Sequence, residues 1–186
     1  PGALGFIHAH DPAIVLGRAA LETQVSTQML AFIVARHLAF FRPGLYVRQL
    51  IPTATGLKAW LFAAIKLCVP NFPVTPDLQG AVQEALNPMS QLVQGQQRDL
   101  LASAVSKLLQ SGGAIDLKKW MAAVDMTADR AGFLLSHDLQ SATECIRAFE
   151  ADSTVAVKDR MKEIVLYGVS ESYFQMRRKL SISIDS

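Results

Sequence analysis

The sequence predicts a mainly α fold with a small N-terminal strand pair or edge strand. Three observations carry that expectation. Apolar residues recur every three and four positions along most of the 186 residues, alternation with period two is scarce, and good helix caps precede the apolar stripes. Gly5–Ile7 and Ala13–Leu16 are short apolar runs on either side of the turn dipeptide Asp11-Pro12, the pattern of a hairpin or edge pair. Ser26 is placed to cap a first helix carrying Leu30, Ile33, Val34, His37, Leu38 and Phe41 on one stripe. Arg42-Pro43-Gly44 ends it, since proline blocks continuation and glycine permits a turn. A second helix is expected after Thr53, with Leu57, Leu61, Ala64, Ile65 and Cys68 on one side.

Beyond the proline-rich connector at Val69–Pro73, Thr75-Pro76 reads as an N-cap with proline at the first helical position. It predicts a short helix to Leu86, then another from about Ser90 to Leu109, closed by Gly112-Gly113. Asp116 caps a helix bearing Trp120, Val124, Ala128 and Leu135, and Asp138 caps a short one to Phe149. A single long helix is expected from about Lys158 to Leu180, with Met161, Ile164, Val165, Val169, Tyr173 and Met176 as a core stripe or, alternatively, a stripe for a partner's groove. The organisation is thus a body over residues 1–150 and a C-terminal long helix over 151–186, expected to form one domain.

Composition excludes several classes. Apolar residues make up 51% and charged residues 18%, which does not suit a disordered tail. A chain this long buries roughly 70% of its unfolded surface without needing a metal or disulfide. The net charge of +2 does not suggest nucleic acid as a partner, and the basic triplet Arg177-Arg178-Lys179 complements a helix C-terminus. No run reaches the ~20 apolar residues of a membrane span, because Arg36 and Lys66 interrupt the best candidates. Cys68 and Cys145 lie in apolar helical patterns and read as buried thiols, with a lean to the cytoplasm. Low charge, and a first residue Pro1 rather than Met, give the expectation of a fragment of a larger protein whose partner is another protein or other domains of the same chain.

Two segments carry more information than a helical bundle requires. One is Leu30-Ala31-Phe32-Ile33-Val34-Ala35-Arg36-His37-Leu38-Ala39-Phe40-Phe41-Arg42, the other Val124-Asp125-Met126-Thr127-Ala128-Asp129-Arg130-Ala131-Gly132-Phe133. Together they resemble the minimal gluzincin zinc metallopeptidases, the group of the heat-shock membrane zinc proteases and the CAAX prenyl endopeptidases. The run Ile14–Leu21 resembles the strand and helix entry before that family's active-site helix, and the chain beyond about Phe149 lies outside the match. The resemblance implies a zincin-like helical domain with a degenerate site.

In that family two histidines four apart bind zinc, the intervening glutamate is the general base, and a glutamate on the second helix is the third ligand. Here Arg36 stands at the first histidine, His37 at the base, Phe40 at the second histidine and Asp125 at the third ligand. Arginine has no lone pair to donate and phenylalanine has nothing to offer. The comparison therefore implies no metal, no cofactor and no catalytic residue. It further predicts that the Arg36 guanidinium replaces the dication and faces Asp125 or Asp129, within about 6 Å.

Other candidates are weaker. His8-Ala9-His10 would put two imidazoles on one side of a strand, beside the former cleft, although an exposed terminal stretch explains them equally. His137 near a helix C-terminus is explained by the dipole. The function expected is a pseudoenzyme: a soluble, catalytically inactive peptidase-like domain serving protein–protein interaction or scaffolding. Its candidate structural and interaction residues are Arg36, Asp125, Asp129, Arg130, His8 and His10. Two alternatives stay open, a hydrolase with a rearranged His37/Asp125 site and an unrelated structural helical bundle.

Overall fold

The computed structural model describes residues 4–7, 13–18, 25–112 and 115–182. The chain is mainly α. Strands β1 (Leu4–Ile7) and β2 (Ala13–Leu16) pair antiparallel, with Leu4 opposite Leu16 and Ile7 opposite Ala13. The helices that follow are α1 (Thr27–Ala39), α2 (Val47–Leu50), α3 (Ala54–Cys68), α4 (Pro76–Leu92), α5 (Gln96–Gln110), α6 (Leu117–Ser136), α7 (Leu139–Ala148), α8 (Val157–Gly168) and α9 (Glu171–Lys179). Residues 8–12, among them His8 and His10, lie outside the described residues.

Capping chemistry sets most helix starts. The Ser26 hydroxyl accepts from Met29 N–H, Thr53 from Gly56 N–H, and the Asp138 carboxylate from Gln140 and Ser141 N–H. Each satisfies donors that a helix N-terminus leaves unpaired. Asp116 does the same for Lys119 N–H at 2.9 Å.

Two boundaries differ from the sequence expectation. The helix beginning at Pro76 runs through Pro88 to Leu92, and the next starts only after Gly95, whose φ of +53° reverses the chain. The expected long C-terminal helix is two helices, broken at Val169–Ser170, where the Ser170 hydroxyl caps α9 by accepting from Tyr173 N–H. A side-chain acceptor at this point offers the backbone an alternative to continuing the helix. The break also splits the expected core stripe: Ile164 and Tyr173 are buried, while Val165, Val169 and Met176 are exposed.

The described chain forms two compact units, Leu50–Lys119 and the remainder, Pro1–Gln49 with Trp120–Ser186. The first unit packs α3 against α4 through Ala59, Ala63, Leu78, Val82 and Ala85. In the second, Phe32, Ile33, Phe133, Ala142, Cys145, Ile146, Ile164 and Tyr173 form one core cluster. A second cluster there joins Phe40 on α1 to Val124 and Ala128 on α6. Both cysteines are free, with Cys145 buried and Cys68 only partly so, a less complete burial than the apolar pattern suggested.

Helices α1 and α6 touch at Gly132. A Cβ there would lie 2.8 Å from the Phe32 ring and 2.9 Å from the Phe32 carbonyl oxygen, below any normal carbon contact. Gly132→Ala is expected to destabilise the protein by roughly 1–3 kcal/mol, because overpacking outweighs the gain of under about 1 kcal/mol from alanine's helix propensity. A urea midpoint equal to or above that of the parent chain would refute this close crossing.

Candidate functional site

The crossing of α1 and α6 brings together most of the residues singled out by the motif comparison. Asp125 and Asp129 are four apart on α6 and so share one helical face. Both are buried, as is Arg36 on α1. Charges this deep require counter-charges and hydrogen bonds, because removal from water costs several kcal/mol per ion. Each acid finds them.

Asp129 receives Arg36 Nε on Oδ1 at 2.9 Å, and a two-pronged grip from Arg160 of α8, Nε to Oδ2 at 2.7 Å and Nη2 to Oδ1 at 2.8 Å. This planar fork matches carboxylate geometry, which is why arginine rather than lysine suits such a site. Arg160 also donates from Nη1 to the Phe149 carbonyl at 3.1 Å, tying in the end of α7. The Arg36 guanidinium thus faces Asp129, one of the two acids expected opposite it.

Asp125 has a different partner. Arg48 of α2 donates to it from Nε and Nη2, each at 3.1 Å, while Ser153 Oγ (2.8 Å) and Thr154 N–H (3.3 Å) complete its shell. Arg48 Nη2 also reaches the Asp152 carbonyl at 3.3 Å. The segment between α7 and α8 is therefore a strap tied to Asp125 through Ser153 Oγ and Thr154 N–H, and to Arg48 and Arg160 through the Asp152 and Phe149 carbonyls. Three arginines meet three aspartates, the third being half-exposed Asp152, 4.0 Å from Arg36 Nη1.

Arg36 Nη2 is buried with no hydrogen-bond partner among the described residues. Its surroundings are aromatic: the guanidinium carbon lies 5.6 Å from the Phe40 ring centroid and 5.7 Å from that of Phe149. Ring faces attract a desolvated cation, so Phe40 and Phe149 contribute to holding the Arg36 charge.

His37 is also buried. Its Nδ1 donates to the Ile33 carbonyl at 2.6 Å, and its ring meets Phe149 edge-on. That donation is an assignment of tautomer that leaves Nε2 as the basic nitrogen of the neutral ring. Burial, aided by the neighbouring Arg36 charge, lowers the His37 pKa below 6.5 against the opposing pull of the Ile33 carbonyl. A base with a depressed folded pKa contributes stability fully above its unfolded value, lost as pH falls from about 6.5 towards the lower folded value. His37→Gln is expected to flatten the melting temperature between pH 7 and 5; an unchanged slope would assign the acid sensitivity to other groups.

Arg130 behaves otherwise. It is exposed, pairs with Glu163 of α8 and lies 5.4 Å from the Tyr167 ring centroid, outside the buried cluster. His8 and His10 lie outside the described residues. Among the described residues no three His, Cys, Asp or Glu side chains converge in the manner of a metal site, and no helix is long and apolar enough to cross a membrane.

Three contributors escaped the sequence reading: Arg48, Arg160 and the strap residue Ser153. Arg160 left a signal. It occupies the apolar stripe of α8, one turn before Ile164, where an unpaired arginine would be costly. Two acids on one buried face demand two cations, and the motif comparison supplied only Arg36. Compared with known proteins, the chain matches no family model, no curated protein and no solved structure.

Proposed function

We propose that this chain is a catalytically inactive, peptidase-like domain that serves as a protein-interaction or scaffolding module within a larger protein. The observation that carries the reading is the buried Arg36–Asp129 pair at 2.9 Å. A metallopeptidase needs lone-pair donors at that helix crossing; here a fixed cation fills it, and Asp125, at the third-ligand position, is engaged by Arg48. Such pairing supports retention of the scaffold for packing and recognition.

The test has two parts. Purified protein should contain no stoichiometric zinc, and neither zinc nor a chelator should move its melting temperature. Stoichiometric zinc that disappears in His37→Ala would overturn the reading in favour of metal-dependent chemistry. For the interaction half, Leu38 is an exposed apolar residue on α1, and Leu38→Glu should abolish capture of specific proteins without changing stability. Identical sets of captured proteins with both forms would count against this face.

A further inference from the structure

The end of α6 carries a linked set of polar groups that takes no part in the arginine–aspartate cluster. His137 follows the last residue of α6 with a φ of +50°, a left-handed conformation that residues other than glycine adopt at some cost. Its N–H closes the helix by donating to the Phe133 carbonyl at 2.9 Å. Its imidazole stacks on the Tyr173 ring of α9, centroids 6.0 Å apart, with Nδ1 2.5 Å from the phenol oxygen.

Tyr173 is buried, stacked on Phe133 at 5.2 Å and edge-on to Tyr167 of α8. Arg177, one turn further along α9, is buried as well and donates from Nη1 to the Leu134 carbonyl of α6 at 2.8 Å. Its guanidinium also bears on the Tyr173 hydroxyl, by charge and by a hydrogen bond. His137, Tyr173 and Arg177 thus hold α9 to the end of α6.

The chemistry of the three groups fixes the direction of their bonds. Arginine only donates, so the phenol oxygen accepts from Arg177 and its single proton goes to His137 Nδ1, leaving the imidazole proton on Nε2. With a proton on Nδ1 as well, two cations aim N–H groups at one oxygen, and the phenol proton loses its acceptor. Tyr173 and Arg177 are the groups that face the imidazole from α9, and α8 contributes Tyr167 behind them. Asp138, its neighbour in sequence, keeps its carboxylate on the Gln140 and Ser141 N–H groups at the start of α7. Partial loss of water, then the Arg177 charge, hold the His137 pKa below 6.5, against the helix dipole, which alone favours the cation. A base held down in this way favours docking fully above about 6.5, and that contribution is lost as pH falls through the lower docked value. His137 is itself exposed, so solvent protons reach it while Tyr173 stays buried.

We propose that α9 is an acid-sensitive latch: protonation of His137 breaks its bond to Tyr173 and loosens the docking of α9, baring the Phe133 ring on which Tyr173 stacks. None of the residues that carry the peptidase-like reading takes part.

Amide hydrogen exchange of the full chain tests the latch. It is followed by NMR at about pH 7.5 and about pH 5.5, on either side of the ordinary histidine value, and corrected for the intrinsic exchange rate at each pH. Protection of the α9 amides is expected to fall about threefold or more on acidification relative to those of α6 and α7, up to tenfold for each unit by which docking lowers the pKa. Taking the ratio cancels the global effect of His37. In His137→Asn, which tolerates the left-handed backbone but takes up no proton, the loss specific to α9 should vanish. His137→Gln, whose longer amide reaches towards the phenol, repeats the measurement if that variant is unstable. A loss specific to α9 that persists in these variants, or parallel losses in α6, α7 and α9 of the parent chain, would overturn the proposal. So would a His137 ring resonance that titrates with a midpoint at or above about 6.5.

Discussion

Asp129→Asn is expected to lower stability by about 3–5 kcal/mol, the usual cost of breaking a buried ion pair by removing one partner. Asparagine has the shape of aspartate but offers one acceptor oxygen and an NH₂. The two carboxylate oxygens of Asp129 accept from Arg36 Nε, Arg160 Nε and Arg160 Nη2, so at least one arginine donor would face another donor. Two buried guanidinium groups would then lack their common counter-charge. For a chain of this length the loss corresponds to a melting temperature about 10 °C lower or more. Asp152→Asn is the contrast. Its side chain is half exposed and 4.0 Å from Arg36, and a solvent-screened pair of this kind is worth under about 1 kcal/mol. Equal shifts in the two variants would show that burial of the cluster does not govern its energetics. Combining Asp129→Asn with Arg36→Met should cost less than the sum of the two, because the pair is coupled directly.

Arg48→Met is the second large effect, with a different signature. Asp125 would keep only Ser153 Oγ and Thr154 N–H against a full negative charge at zero exposure. The expected loss is again about 3 kcal/mol or more. Because Arg48 also holds the Asp152 carbonyl, the strap over residues 149–155 should loosen first. Hydrogen exchange of the Thr154 and Val155 amides should accelerate in Arg48→Met beyond that of α3 and α4 amides. Uniform acceleration would mean that the strap has no separate dependence on Arg48. Arg48→Lys should fall between, since lysine keeps the charge but cannot reproduce the fork.

Much of the fold was legible because the signals are local. Ser26, Thr53, Asp116 and Asp138 each cap a helix in the structure, and a cap depends on residues two or three positions away. The Gly132 crossing was present in the motif as a glycine following Ala-Asp-Arg, although only the distance to Phe32 reveals its purpose. Boundaries were harder. Pro88 stays inside α4 and the C-terminal stripe breaks at Ser170, because tertiary packing can carry a helix through a poor residue or end it within an apolar pattern.

The candidate site divides in the same way. The sequence placed a cation, Arg36, on an apolar helix and two acids, Asp125 and Asp129, on another, so that a charge pairing between them was to be expected. Which acid it meets could not be read off. Asp125 and Asp129 are one turn apart on the same face, about 6 Å along the axis, and both were acceptable partners. Only the tertiary structure decided between them, by bringing Arg48 from α2 to Asp125 and Arg160 from α8 to Asp129 across 77 and 31 residues of chain. Buried charges must be neutralised in space rather than in sequence. A residue's own neighbours along the chain therefore say that a partner is needed, and the fold alone says which one it is.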